Sequence, residues 1–274
     1  MDTTVTINTE IKSEKTNEPE KEPRFRRLKT YNILMGFLHL AQGIAVVWLS
    51  NGFSVPVTTN FLKFDALTRT LNIATKEVFD LRFSYWVAAF FFLSALFHLV
   101  IGTGYYQTYA RNLTKHINKA RWVEYSLSAS LMIVLIGALS GIYDASTLLL
   151  MFGLTAVMNL CGLVMERQNH DSQQVDWTSF WVGSLAGILP WLAILIYFLG
   201  AASEPNSAIP TFVYWIYASI FTFFMIFAVN MWLQYKRVGP WKDYLFGERM
   251  YILLSLIAKS LLAWQIFAGT LRPM

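Results

Sequence analysis

The sequence predicts an all-α membrane protein of seven transmembrane helices, and three observations predict it. Hydrophobic residues make up 55% of the chain and charged residues 14%, against about 25% charged in a typical soluble domain. Forty-four residues are Phe, Trp or Tyr, more apolar surface than a water-soluble globule of 274 residues can hide. The uncharged runs 30–62, 83–110, 125–143, 145–165, 177–203, 205–235 and 250–271, the last broken only by Lys259, each hold the ~20 residues that a spanning helix needs.

Trimmed at turn residues, these runs give helices near 30–50, 83–107, 118–142, 145–167, 178–200, 208–236 and 245–271. Residues 1–22, rich in Thr, Glu and Lys, read as a disordered tail, and Arg24, Arg26, Arg27 and Lys29 form a basic collar suited to anionic headgroups. The expected organisation is a tail over 1–29 and a seven-helix domain over 30–274. With no signal-peptide core in the tail, the first helix is expected to act as the insertion signal.

Between the first two helices, 51–82 is the only long connection. Its alternating apolar pieces, with Pro56 and Asn60 as turn signals, predict a small β-hairpin. The tight links at 143–145 and 201–207 make neighbouring helices antiparallel. Glycine pairs at 137/141 and 183/187 give small-residue faces suited to helix packing. No internal repeat is evident, against the inverted-repeat transporter folds. Cys161 alone excludes an intrachain disulfide framework and a Cys-based metal cluster.

Orientation follows from Lys and Arg. The amino-terminal side carries 16 of them: seven in the tail, then Arg111, Lys115, Lys119, Arg121, Arg167, Lys236, Arg237, Lys242 and Arg249. The opposite side carries five: Lys63, Arg69, Lys76, Arg82 and Arg272. The amino terminus is therefore expected in the cytoplasm, the carboxyl terminus outside, and the hairpin extracellular.

Lys259 stands ten residues after Arg249 and thirteen before Arg272. At ~1.5 Å per residue that is roughly 15 Å deep, near the middle of a ~30 Å core. An intramembrane lysine is costly, so it is expected to face the bundle. A desolvated amine is nucleophilic towards an aldehyde, which suits Schiff-base formation. An internal salt bridge tying two helices is the alternative on charge alone. Glu124, in the third helix, is the carboxylate on offer. Arg121 lies one turn earlier, a spacing that also permits a solvated Arg121–Glu124 pair at the helix end. His39 and His98 fall inside spans, as core residues or as proton stations. No His pair has metal-ligand spacing on one helix, and no phosphate loop or convincing nucleophile–base pair points to an enzyme.

The segments RWVEYSLSASLMIVLI (121–136) and GERMYILLSLIAKSLLAWQIFAGTL (247–271), with LSALFH (93–98) and FVYWI (212–216), resemble the heliorhodopsins, through all seven helices. That family shares the inverted orientation. The resemblance implies a rhodopsin-like bundle in which Lys259 binds all-trans retinal as a protonated Schiff base, with Glu124 as counterion. It places Ser255 and Ser94 beside that pair, His39 and His98 in the polar site that holds the proton after light, and Gln42 as its neighbour. Glu166 and Glu248 match carboxylates of the cytoplasmic polar region, while Arg121 with Glu124 forms the family's Arg-x-x-carboxylate on the third helix and is counted with the polar cluster. Tyr125, Met158, Trp191, Phe224 and Trp264 fall on retinal-pocket positions. Thr155 and Asn159 depart from the commoner choices of the fourth helix, which could tune colour.

On these grounds the chain is expected to be a light-sensing protein with a slow photocycle, a homodimer in lipid with a cytoplasmic signalling partner, and no nucleic-acid ligand. Beyond Glu124 the third helix carries no carboxylate or histidine until Asp144, which disfavours a pump. A light-driven ion transporter and a non-photic seven-helix transporter or receptor stand as alternatives.

Overall fold

A computed structural model describes residues 19–170, 172–204 and 209–271. Residues 1–18 of the expected tail, residues 205–207 of the 201–207 link, and Arg272 lie outside the described residues. Among the described residues, seven helices are long and apolar enough to cross a membrane. In chain order the elements are α1 (Pro23–Leu49), β1 (Ser54–Asp65), β2 (Thr70–Arg82), α2 (Phe83–Gly102), α3 (Tyr106–Thr114), α4 (Lys119–Leu139), α5 (Ala145–Gln168), α6 (Thr178–Ser203), α7 (Thr211–Tyr235) and α8 (Tyr244–Ile266), the last continued by a π-helical turn over Phe267–Leu271.

Each boundary has a local cause. α1 starts seven residues before the expected position because Pro23, at a first-turn position, has the right φ and needs no N–H. The basic collar therefore rides on the opening turns of α1. Asn118, Asp144 and Asp243 cap α4, α5 and α8, accepting from the backbone N–H of Arg121, Thr147 and Leu245. α2 ends at Gly102, earlier than expected, and the chain turns into α3, a short helix absent from the sequence reading. Gly141 lies past the end of α4 with φ +95°, so it serves a turn rather than a helix face.

The hairpin is present but longer than expected. Pro56 and Asn60 do not turn the chain; they lie inside β1, opposite Asp80 and Thr75. The turn is at 66–69, where Asp65 Oδ1 accepts from the N–H groups of Leu67 (2.9 Å) and Thr68 (3.3 Å), holding the Asp65 carboxyl below its usual range. A register shift between Val57 and Thr58 releases the Thr58 N–H to the Tyr143 carbonyl at 2.8 Å, tying the hairpin to the start of α5. Val55, Val57 and Leu81 pack its base into the core, while its tip stands free of the bundle.

α4 is the axis: of the seven spanning helices it is the most deeply buried, and α7 the least. On the hairpin side of α4 the core is apolar, built from Val46, Phe90, Ile133, Ile136, Ile194, Ile216, Leu262 and Ile266. The buried ionisable groups collect towards the other end, and that segregation positions the site.

Candidate functional site

Lys259, 3% exposed on α8, donates through Nζ to Glu124 Oε1 of α4 at 2.9 Å and to Ser255 Oγ, one turn back on its own helix, at 2.7 Å. Ser94 of α2 donates to the same Glu124 oxygen at 2.6 Å. A lysine side chain in a helix leans towards the helix start, which is why Lys259 reaches Ser255 and Glu124. A buried charge pair holds only when its remaining hydrogen-bonding capacity is met, and the two serines supply that.

Beside this pair, Asn32 gives its amide N–H to the Leu28 carbonyl (2.9 Å), so its Oδ1 faces His98 Nδ1 at 2.8 Å. His98 therefore carries its proton on Nδ1. His39 stacks on His98, ring centroids 5.5 Å apart and 10° between planes. Both His39 ring nitrogens are buried without a hydrogen-bond partner among the described residues.

Arg121, Glu166 and Glu248 form a second, separate network nearer the α1 amino-terminal end. The Arg121 guanidinium donates to Glu248 and to Glu166 and lies over the Tyr251 ring, 4.0 Å from its centroid. Asn118 donates to both carboxylates, through its side chain to Glu248 (2.6 Å) and its backbone N–H to Glu166 (2.7 Å). Tyr109 and Tyr244 hydroxyls complete the set, at 3.1 Å from Glu248 and Glu166 respectively. The Arg121–Glu124 pairing allowed by sequence spacing does not form.

A cavity of about 510 Å³ lies between α4, α5, α6, α7 and α8, with Lys259 and Ser255 on its wall. Tyr125, Met158, Trp191 and Phe224 line it, as do Thr155 and Asn159. Tyr125 is fixed by its hydroxyl on the Tyr251 carbonyl (2.8 Å), and Trp191 by edge contacts with Tyr217, Phe221 and Phe224. Gly187 keeps the cavity open: a Cβ there would come 2.3 Å from Met158 Sδ and 2.9 Å from the Phe224 ring. The cavity meets the surface between α6 and α7, where its lining residues Trp181 and Met225 are exposed.

Trp264 does not line this cavity. Its indole N–H donates to Gln42 Oε1 at 3.1 Å, joining α8 to α1, so Gln42 bonds Trp264 rather than either histidine. Asn32, Asn118, Tyr109 and Tyr244 were not singled out from sequence. Asn32 had a usable signal, standing seven residues before His39, two turns along one face. Asn118 had one as a helix cap; the tyrosines had none. Among the described residues no group of three His, Cys, Asp or Glu side chains could hold a metal ion.

Seven spanning helices around an aromatic cavity, with a buried lysine on its wall paired to a carboxylate, define the architecture of a rhodopsin. The heliorhodopsin family model matches residues 28–271, and the chain belongs to the heliorhodopsin family. Membership implies a retinal chromophore. A comparison with curated proteins returns no match. The residues fit that group: an apolar, aromatic slot of ligand size (pockets run roughly 300–1,000 Å³) with one primary amine on its wall.

Proposed function

We propose that the protein is a light sensor in which Lys259 Nζ is the attachment point of all-trans retinal and Glu124 the counterion. The observation that carries this reading is the position of Nζ, on the cavity wall and 2.9 Å from a carboxylate already held by Ser94. Held by Lys259, retinal would supply a light-driven isomerisation and an ionisable N–H at that nitrogen. Tyr125, Met158, Trp191 and Phe224 confine the chain and keep water from it. Glu124 takes the departing proton, with Ser94 and the His98–Asn32 pair, stacked on His39, stabilising the change in charge. Ser255 holds the nitrogen on the α4 side throughout.

The distribution of polar groups supports sensing over transport. A pump needs proton stations on both sides of the lysine, and the core on the hairpin side is apolar. The Arg121–Glu166–Glu248 network lies on the other side and links α3, α4, α5 and α8. A shift of α8 reaches it directly, making it the route by which a change at Lys259 arrives at the end where a signalling partner would bind. The excess of Lys and Arg at that end supports a cytoplasmic amino terminus. The exposed apolar hairpin supports a homodimer in the membrane.

Borohydride reduction of the retinal-loaded protein followed by peptide mass mapping tests the attachment. The retinyl group is expected on Lys259, and a label elsewhere contradicts the reading. Illumination of expressing cells tests the output: a sensor gives no protonophore-sensitive change in external pH, and a sustained change shows transport instead.

A further inference from the structure

A second cleft, of about 400 Å³, opens between α1 and α8 at the end of the bundle where both helices begin. Three guanidinium groups stand around it, from Arg24, Arg27 and Arg249, over a floor that includes Leu28, Met250 and Leu253. Arg24 is anchored there by Asp243 at 2.5 Å, the same residue that caps α8. Arg27 and Arg249 have no carboxylate partner among the described residues; Arg249 lies over the Phe246 ring at 5.8 Å. Glu248, next in the chain to Arg249, is turned inward and committed to Arg121. Among the described residues the lining is therefore cationic, with Asp243 committed to Arg24 and two of the three forks unspent.

The floor indicates which anion fits. Met250 and Leu253 are half-buried, and one turn beyond Leu253 the exposed Ile257 continues the apolar strip along the outside of α8. Further along α1 from the cleft, Leu34, Phe37 and Leu38 are also exposed. A free inorganic anion would use only the mouth, while a ligand with a phosphate head and a hydrocarbon chain uses the mouth and the strip together. Seated in a bilayer, that strip faces acyl chains.

We propose that this cleft is a binding site for one anionic phospholipid, its phosphodiester held by Arg27 and Arg249 and a chain laid along Met250 and Leu253. The site does not depend on whether Lys259 carries a ligand. It does place a lipid against the helix that bears Lys259, one residue from the Arg121 network.

Native mass spectrometry of the full chain in neutral detergent, titrated with phosphatidylglycerol, phosphatidylcholine and inorganic phosphate, tests it. Phosphatidylglycerol is expected to be retained about tenfold better than phosphatidylcholine, as two guanidinium contacts allow. R27Q/R249Q should erase that preference, and R26Q, outside the cleft, should keep it. If the double variant loses its helical circular dichroism, the single variants decide, each lowering the preference about threefold. Equal retention of the two lipids, or an unchanged preference in R27Q/R249Q, overturns the site. Displacement of phosphatidylglycerol by inorganic phosphate overturns the lipid assignment in favour of a free anion.

Discussion

Arg121 and Glu124 stand one turn apart on α4, yet they share no bond and serve different networks. The Arg121 guanidinium closes on Glu166 and Glu248, and the Glu124 carboxylate closes on Lys259 and Ser94. The two buried charge systems are therefore stacked along one helix, one at the cavity wall and one nearer the helix start. Changes in the first should alter colour, and changes in the second should alter stability.

Neutralising Glu124 removes the only carboxylate bonded to Lys259 among the described residues. E124Q is expected to convert the visible-absorbing pigment largely to a near-ultraviolet form at neutral pH. R121Q, which touches neither Lys259 nor Glu124, should keep the visible band within a few nanometres of wild type. Absorption spectra of the two variants side by side decide this. Equal shifts in both would merge the networks that the geometry separates.

R121Q has its cost elsewhere. It leaves two buried carboxylates without their cation, and breaking a buried pair in this way costs about 3–5 kcal/mol. E166Q and E248Q each leave Arg121 one partner and should cost less. Thermal unfolding in detergent measures the order; R121Q no worse than E248Q would contradict it.

Gly187 reports on the cavity. G187A drives a Cβ onto Met158 and Phe224, which line the slot, whereas the Cβ of G153A meets nothing within 4 Å. Reconstitution with retinal should slow or fall several-fold in G187A and stay unchanged in G153A. Normal uptake by G187A would show that the slot does not hold the chromophore.

At the far end, Asp144 caps α5 and sits beside the hairpin, its carboxyl held below the usual range first by Ser146 and then by Thr147. A depressed carboxyl contributes stability that is fully present above its unfolded pKa, near 3.8, and is lost as pH falls through the folded value. D144A should cost about 1 kcal/mol at neutral pH, the usual worth of such a cap. The difference from wild type should shrink in acid below pH ~4. A difference that grows on acidification would contradict this assignment.

Leu62 and Ile73 face each other across the hairpin, 64% and 77% exposed. If the hairpin joins two copies, L62S/I73S should convert dimer to monomer in light-scattering chromatography without loss of the pigment. A dimer that survives the double change places the interface on the helices.

Most of the architecture was legible because charge is so costly in a bilayer that its absence marks every span. Lys259 and Glu124 stood out for the same reason: each breaks a rule that the surrounding residues keep. What sequence spacing could not give was pairing between helices. Arg121 is within reach of Glu124 on a helix wheel, but Glu166 and Glu248 arrive from α5 and α8 and complete a better set. Trp264 has the right composition for a retinal wall and its indole is turned to Gln42 instead. The hairpin turn was misplaced because Pro56 and Asn60, good turn residues in general, are tolerated in a two-stranded sheet where every strand is an edge.

Absorption spectroscopy of the membrane-extracted protein asks whether Lys259 carries the chromophore. The protein would be expressed with and without all-trans retinal, beside Lys259→Ala. A visible band that needs both retinal and Lys259 is expected. Folded protein with no band in retinal, or a band that persists in Lys259→Ala, would contradict it.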